Sequence, residues 1–391
     1  MKIAVDARFA SKSISDGQSA YLHNLLLHLT EIDPDNHYLL LTNELKKGRV
    51  AGLRSNYVFQ KIPNLPHKIR RLLKLENIWW RGLVGTYLFS RVRPDITFSA
   101  INVGPTAYRK GSYIAVAHDL DYIEFPDLYT PSHREKNRSN TELALKEAKH
   151  VIAISESTKQ QIIKYYDYDK NKITVIHHGY DEALFHNKYT ADQISNIRKK
   201  YSLPERFVFS LGSLSPKKNI PALLQAIASL KITKCTEIHC ILAGGFTSTV
   251  RSELRQKTEA LGIKENVQFI GYAPNEDLPI IYNAATLFVF PSIAEGFGLP
   301  LVEAMACGCP VITSNTSCMP EIVQDAAITC SPTDVQELAH VIDSLFNSNK
   351  KQKALNIKGL RRASFFNWEK TARSTLEVFH KVNSKKGVKS W

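Results

Sequence analysis

The chain has 391 residues and a mass of 44.1 kDa, too long for one ordinary core and suited to two domains. At 43% hydrophobic, 9% aromatic and 23% charged residues, the composition excludes a disordered chain, a collagen and a disulfide-stapled mini-protein. The 51 Lys and Arg against 37 Asp and Glu leave a net charge of +14, which favours an anionic partner: a phosphorylated substrate, a membrane surface or nucleic acid.

Short β-branched runs alternate with amphipathic stretches along the whole chain, the pattern of parallel strands joined by crossover helices. In the first half the predicted strands are 2–7, 38–42, 57–62, 95–99, 113–117, 150–155 and 173–178, with Leu22, Leu25, Leu26 and Leu29 at helical spacing after the first. In the second half they are 207–213, 238–245, 267–271, 286–292, 310–314 and 326–330, with helices near 219–231, 249–261 and 334–347. Residues 182–206 are polar and lack a strand signal. The join falls there, giving a domain over 1–185, a second over 186–366 and a helix with a basic tail over 367–391 that is expected to cross back to the first. The fold class expected is α/β: two Rossmann-like, doubly wound domains facing across a cleft, with ligands beyond the carboxyl ends of the strands.

No run approaches the about 18–20 uncharged apolar residues of a membrane-spanning helix. The opening MKIAVDARF carries Asp6 and Arg8 where a signal peptide is apolar, so a cytoplasmic protein is expected. All six cysteines lie in the second half without a C-x-x-C pair, as reduced core thiols rather than bridges or metal ligands. The positive charge is concentrated: residues 46–110 hold fourteen Lys and Arg against two acids, and 350–391 twelve against two. Within 67–93, Ile69, Leu72, Leu73, Trp80, Leu83, Val84, Tyr87 and Leu88 follow a helical period, interleaved with Lys68, Arg70, Arg71, Lys74 and Arg81. Such a stretch is either a core-facing helix with a solvated basic face or an interfacial helix on an anionic inner membrane surface. No spacing for specific nucleic-acid recognition is present.

The most specific segment is PSIAEGFGLPLVEAMACGCPVITSN, 291–315. Glu295 and Glu303 are separated by seven residues across a glycine turn that enters a helix, with Pro300 suited to its first turn and Gly308 to its end. Backbone amides at Gly298 and Leu299 then sit at a helix N-terminus, which favours a phosphate, and the two carboxylates are placed to meet sugar hydroxyls. In LGSLSPKKN, 211–219, Gly212 forms the turn after a strand and Lys217 and Lys218 begin the next segment, suited to a diphosphate. In AVAHDLD, 115–121, His118 ends an apolar strand, where it either caps the strand or poises a reacting centre. Asp119 and Asp121 form a D-x-D, the pattern that holds a metal–diphosphate pair in single-domain transferases.

Taken together these segments resemble the family-4 glycosyltransferases, retaining enzymes of the two-Rossmann GT-B fold, including bacterial mannosyltransferase-like members. Gly17 in SDGQSAYLHNLL, the HD at 118–119, ISES at 154–157, HHGYD at 177–181, GSLSPKKN at 212–219 and E-x7-E at 295–303 fall in the family's order over nearly the whole chain. The resemblance implies transfer of a sugar from a nucleotide-sugar donor to a hydroxyl of a glycan or lipid-linked acceptor, with retention and without a metal or other cofactor. It places Glu295 on the donor-sugar hydroxyls, Glu303 on the ribose and Lys218 on the diphosphate. Gly17, Phe297, Gly298 and Leu299 fall on sugar or phosphate, and His118 beside the sugar. Many members carry Arg at the position of Ser213, and Lys217 stands in as the second phosphate cation. PKKN points to GDP-mannose before a UDP-sugar. Competing readings are a metal-dependent transferase built on Asp119 and Asp121, a nucleotide-sugar epimerase, and a non-catalytic basic scaffold on membrane or nucleic acid. None of these except the epimerase explains the E-x7-E stretch.

Overall fold

The computed structural model describes residues 1–7, 17–42, 52–61, 91–100, 112–212, 215–234, 237–245 and 247–384. The chain forms two compact units, one of Met1–Gly179 with Trp368–Trp391 and one of Tyr180–Asn367.

Unit 1 contains strands β1 (Lys2–Asp6), β2 (His37–Thr42), β3 (Tyr57–Lys61), β4 (Ile96–Ser99), β5 (Ser112–Ala117), β6 (His150–Ala153) and β7 (Ile173–Val175), with helices α1 (Gly17–Ile32), α2 (Asp121–Glu124), α3 (Pro131–Glu147) and α4 (Glu156–Tyr166). The strands lie in the order β3-β2-β1-β4-β5-β6-β7, and every pairing is parallel. Strands covered on both faces read as unbroken apolar runs, and β5 is buried at all of its six positions. The leucines at helical spacing do what their period requires: Leu22, Leu25, Leu26 and Leu29 are all buried on α1.

Unit 2 repeats the plan with β8 (Phe207–Leu211), β9 (His239–Ala243), β10 (Val267–Gly271), β11 (Leu287–Phe290), β12 (Val311–Ser314) and β13 (Ala327–Cys330) in the all-parallel order β10-β9-β8-β11-β12-β13. Its helices are α5 (Ala191–Tyr201), α6 (Ile220–Lys234), α7 (Ser248–Ala260), α8 (Leu278–Ala284), α9 (Leu299–Ala306), α10 (Met319–Val323), α11 (Val335–Phe346) and α12 (Asn349–Ala363). A final helix, α13 (Trp368–Ser384), returns to unit 1 and packs along α1. Its buried residues Trp368, Thr371, Ala372, Thr375, Val378, Phe379 and Val382 recur every three or four positions, the spacing of one helical face. Phe379 meets Phe98 of β4 edge-on at 5.2 Å, and the Thr371 hydroxyl donates to the His177 carbonyl at 2.7 Å.

All thirteen predicted strands are present, and several stop short of the apolar run that announced them. The runs 150–155, 173–178, 207–213 and 238–245 end as strands at Ala153, Val175, Leu211 and Ala243. Just past the strand ends Ile154, Ile176 and Gly212 still donate to the carbonyls of Ala117, Ala153 and Ala243, at 3.3, 2.9 and 3.1 Å. Both sheets reverse direction between two adjacent strands, β1 beside β4 and β8 beside β11. Connections leave such a pair on opposite faces and open a crevice at their carboxyl ends.

Residues 67–90 of the basic amphipathic stretch lie outside the described residues, as does Ser213; of that stretch Arg91–Arg93 are described. Among the described residues no helix is long and apolar enough to cross a membrane. Cys240, Cys307, Cys309 and Cys330 are buried free thiols and Cys318 is buried as well, while Cys235 is not described.

Truncating Phe379, which is fully buried, removes an aromatic side chain from the contact of α13 with unit 1. Phe379→Ala is expected to cost about 3–5 kcal/mol, seen by calorimetry as a lowered transition for unit 1 with that of unit 2 unmoved.

Candidate active site

The crevice of unit 2 is built by the loops that follow β8 and β11, whose pairing sets Leu287 against Val208 and Phe288 against Phe209. The two loops are tied by the Ile293 amide, which donates to the Lys217 carbonyl at 2.7 Å. The loop after β9 presses against the first of them so closely that a Cβ at Gly244, where φ is +138°, would lie 2.0 Å from the Gly212 oxygen; only glycine fits. Lys218 ends the turn Pro216–Lys218, and its ammonium makes an ion pair with Glu295 Oε1 at 2.5 Å. Those side chains are only 13% and 10% exposed, and the ammonium also stands 4.5 Å from the centroid of the Phe290 ring.

Glu295 is fixed through its backbone as well. Its amide donates to Ser317 Oγ at 3.2 Å and its carbonyl accepts from the same hydroxyl at 2.6 Å, while Thr316 Oγ1 donates to the Ile293 carbonyl at 2.8 Å. Burial alone pushes a carboxyl up. Here Lys218 and Lys217 outweigh it and hold Glu295 below its ordinary value, so the group is an anion.

Helix α9 is preceded by Gly298, whose φ of 82° and ψ of 50° are left-handed. No side chain caps this end, and Pro300 occupies the first turn. Amides at such an end remain available to an anion. Phe297 is buried and sets its ring edge-on to Phe366 at 5.6 Å, so its side chain belongs to the core and a ligand would meet its backbone. One turn into α9, Glu303 accepts a hydrogen bond from the Tyr282 hydroxyl at 3.5 Å. Burial, with the charge of Asp181 adding to it, raises its carboxyl from 4.5 to about 7. Two glutamates with seven residues between them therefore carry different charge near neutrality, which separates their chemistry.

In unit 1, His118 follows β5 and is buried, its Nε2 2.6 Å from the Ala100 carbonyl. A carbonyl accepts only from an N–H, so this nitrogen carries the proton. The ring is edge-on to Tyr21 of α1 at 5.4 Å and to His178 at 5.9 Å. His178 stacks on Tyr21 at 4.8 Å and on Trp368 at 5.7 Å, and those two rings are themselves 6.0 Å apart, closing a three-ring cluster; burial, then the nearby His118 and His177, keep His178 neutral. Gly17 is the first residue of α1. Ser155 of ISES accepts from the Thr158 amide at 3.1 Å and so caps α4. Asp121 is buried in the first turn of α2, and among the described residues no three His, Cys, Asp or Glu gather as a metal site.

The structure thus brings Lys217, Lys218, Glu295 and the start of α9 together around the β8–β11 crevice and places Glu303 behind them with Tyr282. Sequence reading missed Tyr282, Ser317, Thr316, Tyr21 and Trp368. None carries a local signal, because each acts on a residue far away in the chain.

Residues 193–362 match the model of the group 1 glycosyl transferases, and residues 15–184 that of glycosyltransferase family 4. The O-antigen chain mannosyltransferase B of Escherichia coli is 30% identical over 71% of this chain and 73% of its own. The chain belongs to glycosyltransferase family 4. It spans about a third of the length of three longer Escherichia coli relatives. Among solved structures it is similar to sucrose-phosphate synthase of Thermosynechococcus elongatus, with TM-score 0.79, 19% identity and coverage of 98% and 100% of the two chains. HepE of Anabaena in complex with UDP-glucose gives 0.75, 22%, 97% and 100%. At those identities the likeness bears on the fold, which is that of GT-B glycosyltransferases.

The raised Glu303 carboxyl has a consequence for stability. The folded protein holds a proton there that the unfolded chain releases above about pH 4.5, so this group's contribution falls as pH rises from 4.5 to about 7 and is flat beyond. Glu303→Gln is expected to be the more stable protein at pH 8, with the difference vanishing towards pH 4.5, in thermal scans across that range.

Proposed function

We propose that this glycosyltransferase is a retaining enzyme that moves a sugar from a nucleotide-sugar donor, mannose from GDP-mannose first and the sugar of a UDP-sugar next, to a hydroxyl of a glycan or lipid-linked acceptor in surface-polysaccharide assembly. The supporting observation is the Lys218–Glu295 pair in the β8–β11 crevice, beside uncapped amides of a helix N-terminus. The names of the E. coli mannosyltransferases support the choice of sugar.

In the proposed reaction the bond between the anomeric carbon and the diphosphate breaks, and its electron pair goes to the leaving phosphate oxygen. Lys218, Lys217 and the amides at Gly298 and Leu299 are the groups that meet this growing charge, which lowers the barrier and makes a metal unnecessary. Glu295, held anionic, accepts from donor-sugar hydroxyls, and Glu303 from the ribose. The acceptor oxygen bonds to the same face of the anomeric carbon, and its proton passes to the leaving phosphate. His118, with a proton on Nε2, is proposed beside the sugar, and Gly17 beside donor phosphate or sugar.

Lys218→Ala and Glu295→Gln are each expected to lower kcat/KM about 10²–10³-fold, with wild-type turnover unchanged in EDTA. Turnover insensitive to both substitutions, or abolished by EDTA, would overturn the reading. Thermal-shift measurements with GDP, UDP, ADP and their sugars identify the donor, because a ligand bound by the native state raises its stability. An inverted anomeric configuration in the product, read by NMR, removes retention.

We also propose that the protein works on the cytoplasmic face of an anionic membrane, through the basic stretch 67–93. Charge reversal at Arg70, Arg71 and Lys74 is expected to abolish co-sedimentation with anionic vesicles; unchanged binding rejects this placement.

A further inference from the structure

Unit 1 carries a cavity of about 520 Å³ between α2, α3 and α4, distinct from the residues assigned to donor binding. That volume lies in the range of small-ligand sites, about 300–1,000 Å³. Its inner wall is aromatic: Tyr122 of α2 and Tyr166 of α4 join hydroxyls at 3.0 Å, with Tyr165 beside them. Its rim comes from α3, where Arg134, Arg138 and Glu142 stand on a helix face left exposed to solvent.

The charge of this lining decides the class of ligand. Two arginines are balanced by two glutamates, Glu135 being the second, and Arg138 Nε is already paired with Glu142 Oε1 at 2.9 Å. Within the lining itself no cationic surplus remains for a phosphate and no anionic surplus for a cation, and the neighbouring Lys164 ammonium is held over the Tyr165 ring, 4.8 Å from its centroid. A wholly apolar ligand would strip water from four charged side chains without replacing it. What remains is a neutral molecule with flat C–H faces for the tyrosine rings and hydroxyls for planar guanidinium and carboxylate groups, which hold paired partners in fixed geometry. That is a saccharide.

The position fits a sugar chain. Helix α2 begins three residues after His118, and Thr158 of α4 donates through its hydroxyl to the His118 carbonyl at 3.4 Å. The two helices that supply the tyrosines are thus attached to the loop that ends β5. We propose that this cavity is a binding site for a neutral oligosaccharide, the already assembled part of the glycan acceptor; the acceptor role rests on the glycosyltransferase reading, while the binding site itself does not.

The full chain is tested with mannotetraose and maltotetraose by ligand-observed NMR, and with mannose-terminated acceptors of one and four sugars by turnover. Tyr165→Ala and Arg134→Ala alter half-buried or exposed side chains and leave the core untouched. Wild type is expected to bind at least one tetrasaccharide, and each variant to bind it about tenfold more weakly. In turnover each variant is expected to raise KM about tenfold for the four-sugar acceptor, leaving kcat and the KM values of donor and one-sugar acceptor unchanged. Binding lost in the variants from a protein that transfers no sugar keeps the site and rejects only its acceptor role. Neither tetrasaccharide binding, binding equal in wild type and variants, or inorganic pyrophosphate displacing the saccharide from the cavity overturns the proposal.

Discussion

Lys218 and Glu295 lie 77 residues apart in the chain and meet at 2.5 Å with little access to water. An isolated charge in that position would be costly, and removing either partner leaves the other buried without compensation. The pair therefore dictates much of its surroundings. The loop after β8 must approach the loop after β11, which the Ile293–Lys217 backbone bond secures. The β9 loop must fold in without a side chain, hence Gly244. Glu295 must be pinned at its backbone, which Ser317 does through both amide and carbonyl.

Such a pair also stores the electrostatics of an anion site. The ammonium has three donors, and one carboxylate partner does not exhaust them. In the proposed reaction the diphosphate would share Lys218 with Glu295 rather than replace it, so the carboxylate stays oriented while the leaving group gains charge. Glu303 is tuned in the opposite direction by its burial on α9, where the Tyr282 hydroxyl donates to it. One helix turn and its preceding loop thereby hold an anion and a carboxyl near its midpoint at neutral pH.

Unit 1 uses packing where unit 2 uses charge. His118 has its ring orientation set by the Ala100 carbonyl and by the edge of Tyr21, and Tyr21 is in turn stacked on His178 against Trp368. His178 and Trp368 lie beside the two points where the chain passes from one unit to the other, at Gly179 and at Asn367. The order of the sheet, repeated in both units, explains why each presents its candidate residues at a strand's carboxyl end: with helices on both faces, the connections that leave adjacent switch-point strands on opposite faces open a crevice there.

The α/β class, the thirteen strands and the glycine-bearing loops were readable in the sequence because each is a local property. A buried parallel strand must be apolar, a helix face must recur every three or four residues, and a turn with positive φ favours glycine. Even so, the apolar runs at 150–155 and 207–213 overstated their strands, since hydrophobicity continues into loops that fold over the sheet ends. The partnerships that tune the candidate site were not readable. Lys218 with Glu295, Tyr282 with Glu303, and Tyr21 with His178 and Trp368 join residues whose spacing in the chain carries no period, and only the parallel strand order and the return of α13 bring them into contact.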